Sequence, residues 1–261
     1  MEIAEHIDAL SREGDRMADA AERAGLDAPV PPCSPWLVKD LLRHTGHVHR
    51  WAAQHITERP GQMLDGPSEE EMLAGGADDA ELLAWFRAGH AALAQTLAAA
   101  DPGLECATFM AAPSPLAFWA RRQAHETAIH RADAESASGA TPGYEPAFAA
   151  DGIDELIMGF GRRRKYAPAG LDPKTADGGA LRVLAADTGD AWLVEAHEGR
   201  LQPRRDTAGD TDDAGCTLTG PASGVYLYLW NRADAARAGV TVTGDPAVLS
   251  AWQASVRVRW S

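Results

Sequence analysis

The feature that most constrains this chain is a change of hydrophobic period near Pro142-Gly143. Before it, apolar residues recur at helical spacing; after it, short apolar runs alternate with turn residues. One kind of layer cannot serve both patterns. The expectation is therefore an α+β protein, with a four-helix bundle over residues 1–143 and a small α+β domain with an antiparallel sheet over residues 144–261. A chain of 261 residues is long enough for each part to bury its own core.

Within the first part, Ile3, Ile7, Leu10, Met17 and Ala21 keep helical register, and Gly25 is a stop signal. The run Pro29-Val30-Pro31-Pro32 forces an extended connection, and Ser34-Pro35 starts a second helix over about 36–56. A polar loop with Pro60, Gly61 and Gly66 leads to a third helix at 79–99, closed by Asp101-Pro102-Gly103. A fourth spans 116–137 and ends before Gly139. In the second part the pattern predicts a helix at 147–163 and strands at 181–184, 191–196 and 216–219. A helix at 221–231, a strand at 240–242 and a helix at 246–252 follow. Gly199 and the stretch 206–215 read as turns.

The formal charge of −14 argues against a protein that tracks nucleic-acid phosphates, whose affinity rests on Lys and Arg. The one basic run, Arg162-Arg163-Arg164-Lys165, reads as a solvated C-terminal turn of a helix. No stretch approaches the ~18 apolar residues of a membrane helix, and the acidic, amphipathic start is unlike a secretion signal. The expectation is a cytoplasmic monomer that works on small molecules, with no nucleic-acid or membrane partner. Cys33, Cys106 and Cys216 form no CxxC pair and are read as reduced, partly buried thiols.

The polar residues on the second and fourth helices carry the chemistry. At about 100° per residue, His44 falls within the apolar stripe formed with Leu41, Val48, Trp51 and Ala52. His47 and His49 fall on its flanks and are read as solvent-facing; His55 shares the stripe three turns away. On the fourth helix Glu126 and His130 stand one turn apart on the stripe that carries Trp119, with Cβ atoms about 6 Å apart. A carboxylate and an imidazole so placed, joined by a histidine from a facing helix, make a three-donor metal site with a position left open. The same spacing also fits a plain ladder, Arg122-Glu126-His130, on a wet face. His125-Glu126 is not the start of an HExxH zinc motif, because the second histidine comes one residue too late.

The segment from Trp36 to His44, together with His125-Glu126-Thr-Ala-Ile-His130-Arg-Ala-Asp133, resembles the mycothiol-dependent maleylpyruvate isomerase family, whose N-terminal part is a DinB-like metal-binding bundle. Leu218-Thr-Gly-Pro-Ala222, Leu227-Tyr-Leu-Trp-Asn-Arg232 and Val242-Thr-Gly-Asp-Pro246 resemble its second domain, which is similar to sterol-carrier folds. The resemblance covers nearly the whole chain and keeps the order of the two domains. It implies that His44, Glu126 and His130 hold Zn2+ or another divalent metal, and that mycothiol is the thiol cosubstrate. The implied enzyme presents mycothiol as a metal-bound thiolate to a small electrophile, as an S-transferase or a cis–trans isomerase. Asp133 would accept the other N–H of His130, or else pair with Arg131 or Arg122. Arg232 resembles a family arginine that holds an anionic substrate group; a simple cation at a helix C-terminus is the competing role. Trp36 and Trp119 are expected as core aromatics beside the site. A hydrolase using metal-activated water, or a metal-stabilised binding module, would keep the same three donors.

Overall fold

The computed structural model describes residues 1–162, 179–197, 200–206 and 214–256. These fall into two compact units, one over Met1–Pro142 and one from Gly143 onward. In the first, helices α1 (Ile3–Ala24), α2 (Val38–Glu58), α4 (Leu82–Ala99) and α5 (Pro115–Ser136) form the bundle, with a short α3 (Glu69–Ala74) in the α2–α4 connection. Helix α1 lies along α5, and α2 lies along α4 while also touching α5.

Local chemistry accounts for the helix ends. Glu2 and Glu5 form a capping box on α1, and Gly25 stops that helix at φ +84°, a conformation that costs glycine little. Ser114 caps α5 by accepting from the Ala117 amide at 3.1 Å, with Pro115 in the first turn. The bundle core is built from Met17, Ala18 and Ala21 of α1, Val38, Leu41 and Leu42 of α2, and Leu82 and Phe86 of α4. Helix α5 differs from the others because it is buried nearly all round. Ala120, Ala124, Ala128 and Ala132 recur every turn and let neighbours approach, while Arg122, Gln123, His125, Thr127, His130, Arg131 and Asp133 are buried with them. Buried charge needs partners. Arg131 finds one across the α1 interface in Glu13, at 2.8 Å.

Helix α3 was expected as loop. Six residues carry too little periodicity to announce a helix, although Ser68 and Glu71 form a capping box whose S-x-x-E pattern is legible.

The second unit holds α6 (Pro146–Asp154), a five-stranded sheet, α7 (Ala222–Leu229), α8 (Ala235–Ala238) and α9 (Pro246–Ser255). The strands are β1 (Leu181–Ala185), β2 (Asp190–His197), β3 (Arg200–Asp206), β4 (Cys216–Gly220) and β5 (Thr241–Gly244), in the order β3-β2-β1-β4-β5. The expected antiparallel sheet needs correcting at its centre, where β1 and β4 run parallel; the other three pairings are antiparallel. Strand β1 is buried almost throughout, including Arg182, whose charge is met by Asp206 at 3.1 Å. Strand β3 was not expected. It is an edge strand with Pro203 and three arginines, and such residues are tolerated where one side of the strand needs no ladder.

The helix expected over 147–163 is regular only to Asp154, then widens into a π-helical turn (Glu155–Gly159) and a 3-10 turn (Phe160–Arg162). Of the basic run, only Arg162 lies within the described residues; it is exposed and donates to the Pro203 carbonyl at 3.0 Å. Gly199 and most of the 206–215 turn lie outside them.

Candidate metal centre

Helices α2 and α5 bring three predicted donors together. A ligand atom from each of His44, Glu126 and His130 lies within 4.8 Å of the others. His130 Nε2 is 3.1 Å from Glu126 Oε1, and His44 Nε2 is 3.8 Å from the same oxygen. The two imidazoles meet edge to face, with ring centroids 5.0 Å apart. His44 is 3% exposed, whereas the Glu126 side chain keeps 16%, so the set is buried without being sealed.

Neighbouring groups fix the donors. Asp133, fully buried, lies 2.9 Å from His130 Nδ1 and accepts its proton there, which turns Nε2 toward Glu126. Arg122 donates to Glu126 Oε2 at 2.9 Å and leaves Oε1 for the histidines. The Arg122-Glu126-His130 ladder is thus real, but it lies on a dry face rather than a wet one.

Burial alone would raise the Glu126 pKa; hydrogen bonds from His130 and His44 and the charge of Arg122 outweigh it and hold the carboxyl well below its usual range. Burial would lower His130, yet hydrogen bonds to Asp133 and Glu126 raise it to about 9. His44 is lowered, chiefly by burial, and stays neutral with a lone pair to give.

These residues suit a divalent ion. His130 Nε2 and Glu126 Oε1, 3.1 Å apart, bring a nitrogen and an oxygen donor together. Glu126 and Asp133 bring two negative charges against the one positive charge of Arg122. Two imidazoles and a carboxylate are donors that zinc favours, with further coordination left to a fourth group.

Other expectations fare differently. His49 is not solvent-facing but fully buried, its Nε2 2.8 Å from Thr127 Oγ1, and His47 is half-buried against the Trp85 ring. Helix α2 packs against more than one neighbour, so its buried arc is wider than one stripe. His55 spends both nitrogens locally: Nδ1 donates to the Trp51 carbonyl and Nε2 accepts from the Leu64 amide. His125 turns away from the donors toward His6. Trp36 does flank the centre, 4.9 Å from the His44 ring. Trp119, fully buried two turns before Glu126, meets Trp51 and Phe118 edge-on and His55 at a tilt. Arg232 follows α7 in the second unit and donates to the Trp230 carbonyl at 2.8 Å. Cys33, Cys106 and Cys216 form no disulfide among the described residues. Sequence reasoning missed Glu69, which accepts from Trp36 Nε1 at 3.2 Å, because its helix read as loop.

The fold and these donors define an α+β protein of two units with a candidate metal centre in a helical bundle. Residues 7–135 match the family model "Mycothiol maleylpyruvate isomerase N-terminal domain", and residues 147–251 match the model of the corresponding C-terminal domain. The chain therefore belongs to the mycothiol-dependent maleylpyruvate isomerase family, a family of enzymes with isomerase or transferase-type activity. A crystal structure of a mycothiol-dependent maleylpyruvate isomerase shares the fold with a TM-score of 0.63 at 15% identity, over 93% of each chain. A mutant of a mycothiol-dependent maleylpyruvate isomerase gives 0.64 with the same identity and coverage. No curated protein matches the sequence. Among the described residues, no helix is long and apolar enough to cross a membrane.

Proposed function

We propose that this chain is a mycothiol-dependent enzyme whose bundle holds a divalent metal, zinc by donor type, and that it acts on a small electrophile as an isomerase or S-transferase. The observation that carries this reading is the convergence of His44, Glu126 and His130 within 4.8 Å, supported by family membership. When bound, the ion supplies one piece of chemistry: it favours the anionic form of a thiol at neutral pH. The side chains do the rest. Glu126 and the two histidines hold the ion, Asp133 keeps the His130 Nδ1–H occupied, and Arg122 keeps the carboxylate turned inward.

Attack of a mycothiol thiolate on an alkene carbon conjugated to a carbonyl would form a C–S bond, break the π bond and leave its electron pair as an enolate. Rotation about the resulting single bond and elimination would return the same thiolate and an isomerised product. Addition completed by a proton on the neighbouring carbon, or displacement in which the leaving group departs with its electron pair, gives thiol transfer. Arg232 is assigned to a carboxylate of the electrophile, which a guanidinium can grip with two parallel hydrogen bonds. Replacing it with alanine should then raise KM for an anionic electrophile about tenfold or more and spare a neutral one; equal losses for both would remove that role.

The central test is titration of mycothiol into the zinc- or cobalt-loaded protein, followed by calorimetry and by the cobalt absorption spectrum. A thiol-dependent spectral change with proton release is expected. A spectrum indifferent to mycothiol, with no thiol-dependent turnover of unsaturated acids or activated halides, would overturn the reading.

A further inference from the structure

The Asp133 carboxylate holds the His130 ring. Against the His44 ring lie aromatic groups. Trp36 packs on it at 4.9 Å with the planes tilted by 47°, while His130 meets it at 5.0 Å. The indole is itself held. Its backbone is pinned on both sides, the amide donating to the Cys33 carbonyl and the carbonyl accepting from the Val30 amide, each at 2.9 Å. Its ring N–H is taken by Glu69 Oε1 at 3.2 Å. Glu69 opens α3, and the Ser68–Glu71 capping box secures that turn. A line of contacts thus runs from α3 through Glu69 and Trp36 to His44.

We propose that Trp36, held by Glu69, is a positioning residue that fixes the His44 imidazole for metal binding, so that α3 is part of the centre rather than a filler in the α2–α4 connection. The inference rests on the ligand assignment above and deepens it. A histidine ring turns about two side-chain bonds, and a donor that must find its orientation binds less tightly than one already oriented. Trp36 and His130 both pack on the ring and restrict that rotation.

Metal affinity of the full chain, measured by competition with a chromophoric chelator, tests this together with the cobalt absorption spectrum and thermal melts of the metal-free protein. Trp36→Ala should weaken affinity about tenfold and alter the cobalt bands. Trp36→Phe keeps a ring but loses the N–H, so its loss should be smaller, and adding Glu69→Ala to it should change nothing more. Glu69→Ala alone should reproduce the Trp36→Phe loss, whereas Glu69→Gln, which still accepts the hydrogen bond, should restore wild-type binding. Should Trp36→Ala fail to fold, the phenylalanine and Glu69 variants carry the test. Unchanged affinity and an unchanged cobalt spectrum in Trp36→Phe and Glu69→Ala, with metal lost in His44→Ala, would overturn this proposal alone. Full metal retention by His44→Ala would overturn the ligand assignment and this proposal with it.

Discussion

Two of the proposed donors share a helix at i and i+4, and the third comes from a helix that touches it. Helical spacing alone placed Glu126 and His130 on one stripe, but it favoured a plain salt-bridge ladder over a metal site, because both arrangements use the same geometry and the ladder is the commoner use of it. What separates them is the environment of the stripe. The structure buries Arg122, His130 and Asp133, and burial is a tertiary fact that a single helix does not encode. The misreading of His49 has the same cause. The role of Asp133 follows from its carboxylate, which holds His130 Nδ1–H. Asp133→Asn keeps an oxygen to accept that proton but removes the charge. Metal affinity in chelator competition should therefore fall about 10- to 100-fold, whereas His44→Ala should abolish binding. Affinity unchanged in Asp133→Asn would show that the aspartate holds the helix rather than the donor.

The four bundle helices were legible as elements, since each combines sustained period with an identifiable stop. Helix α3, strand β3 and the parallel β1–β4 pairing were not: the first is too short, the second is a polar edge strand, and strand direction depends on partners far away in sequence. Close helix approach was likewise hidden. Gly46 sits in the middle of α2, where helix propensity alone would favour alanine by about 1 kcal/mol. A Cβ there would run into the Trp85 ring of α4. That ring cannot easily retreat, because Arg50 stacks on it at 3.7 Å while donating to the Gly46 and Trp85 carbonyls. Overpacking of this kind costs about 1–3 kcal/mol. Gly46→Ala should thus lower the urea midpoint despite its better propensity, and a raised midpoint would show that the α2–α4 contact yields.

Across the molecule, the break near Pro142-Gly143 was the sequence's most informative feature, and the charge of −14 bore on partners rather than on fold. Histidines inside the bundle bear on how the chain responds to acid. Burial pushes the His49 pKa well below its ordinary 6.5, and the nearby His90 adds to this. His90 is lowered as well, again chiefly by burial. On unfolding, both regain an ordinary value and take up protons that the folded chain refuses, so their contribution is lost as pH falls below about 6.5. His130 works in the opposite sense in the metal-free protein. With its pKa raised to about 9, its contribution is complete below 6.5 and disappears as pH rises through about 9. Stability of the metal-free chain should therefore peak near neutrality and fall on both sides. Between pH 6.5 and about 5.5, His49→Gln, whose amide can still reach Thr127, should flatten the acid-side slope of unfolding free energy by up to about 1.4 kcal/mol per pH unit. Urea melts across that window, with wild type and variant side by side, decide the matter: parallel slopes would mean that His49 is already protonated inside the fold.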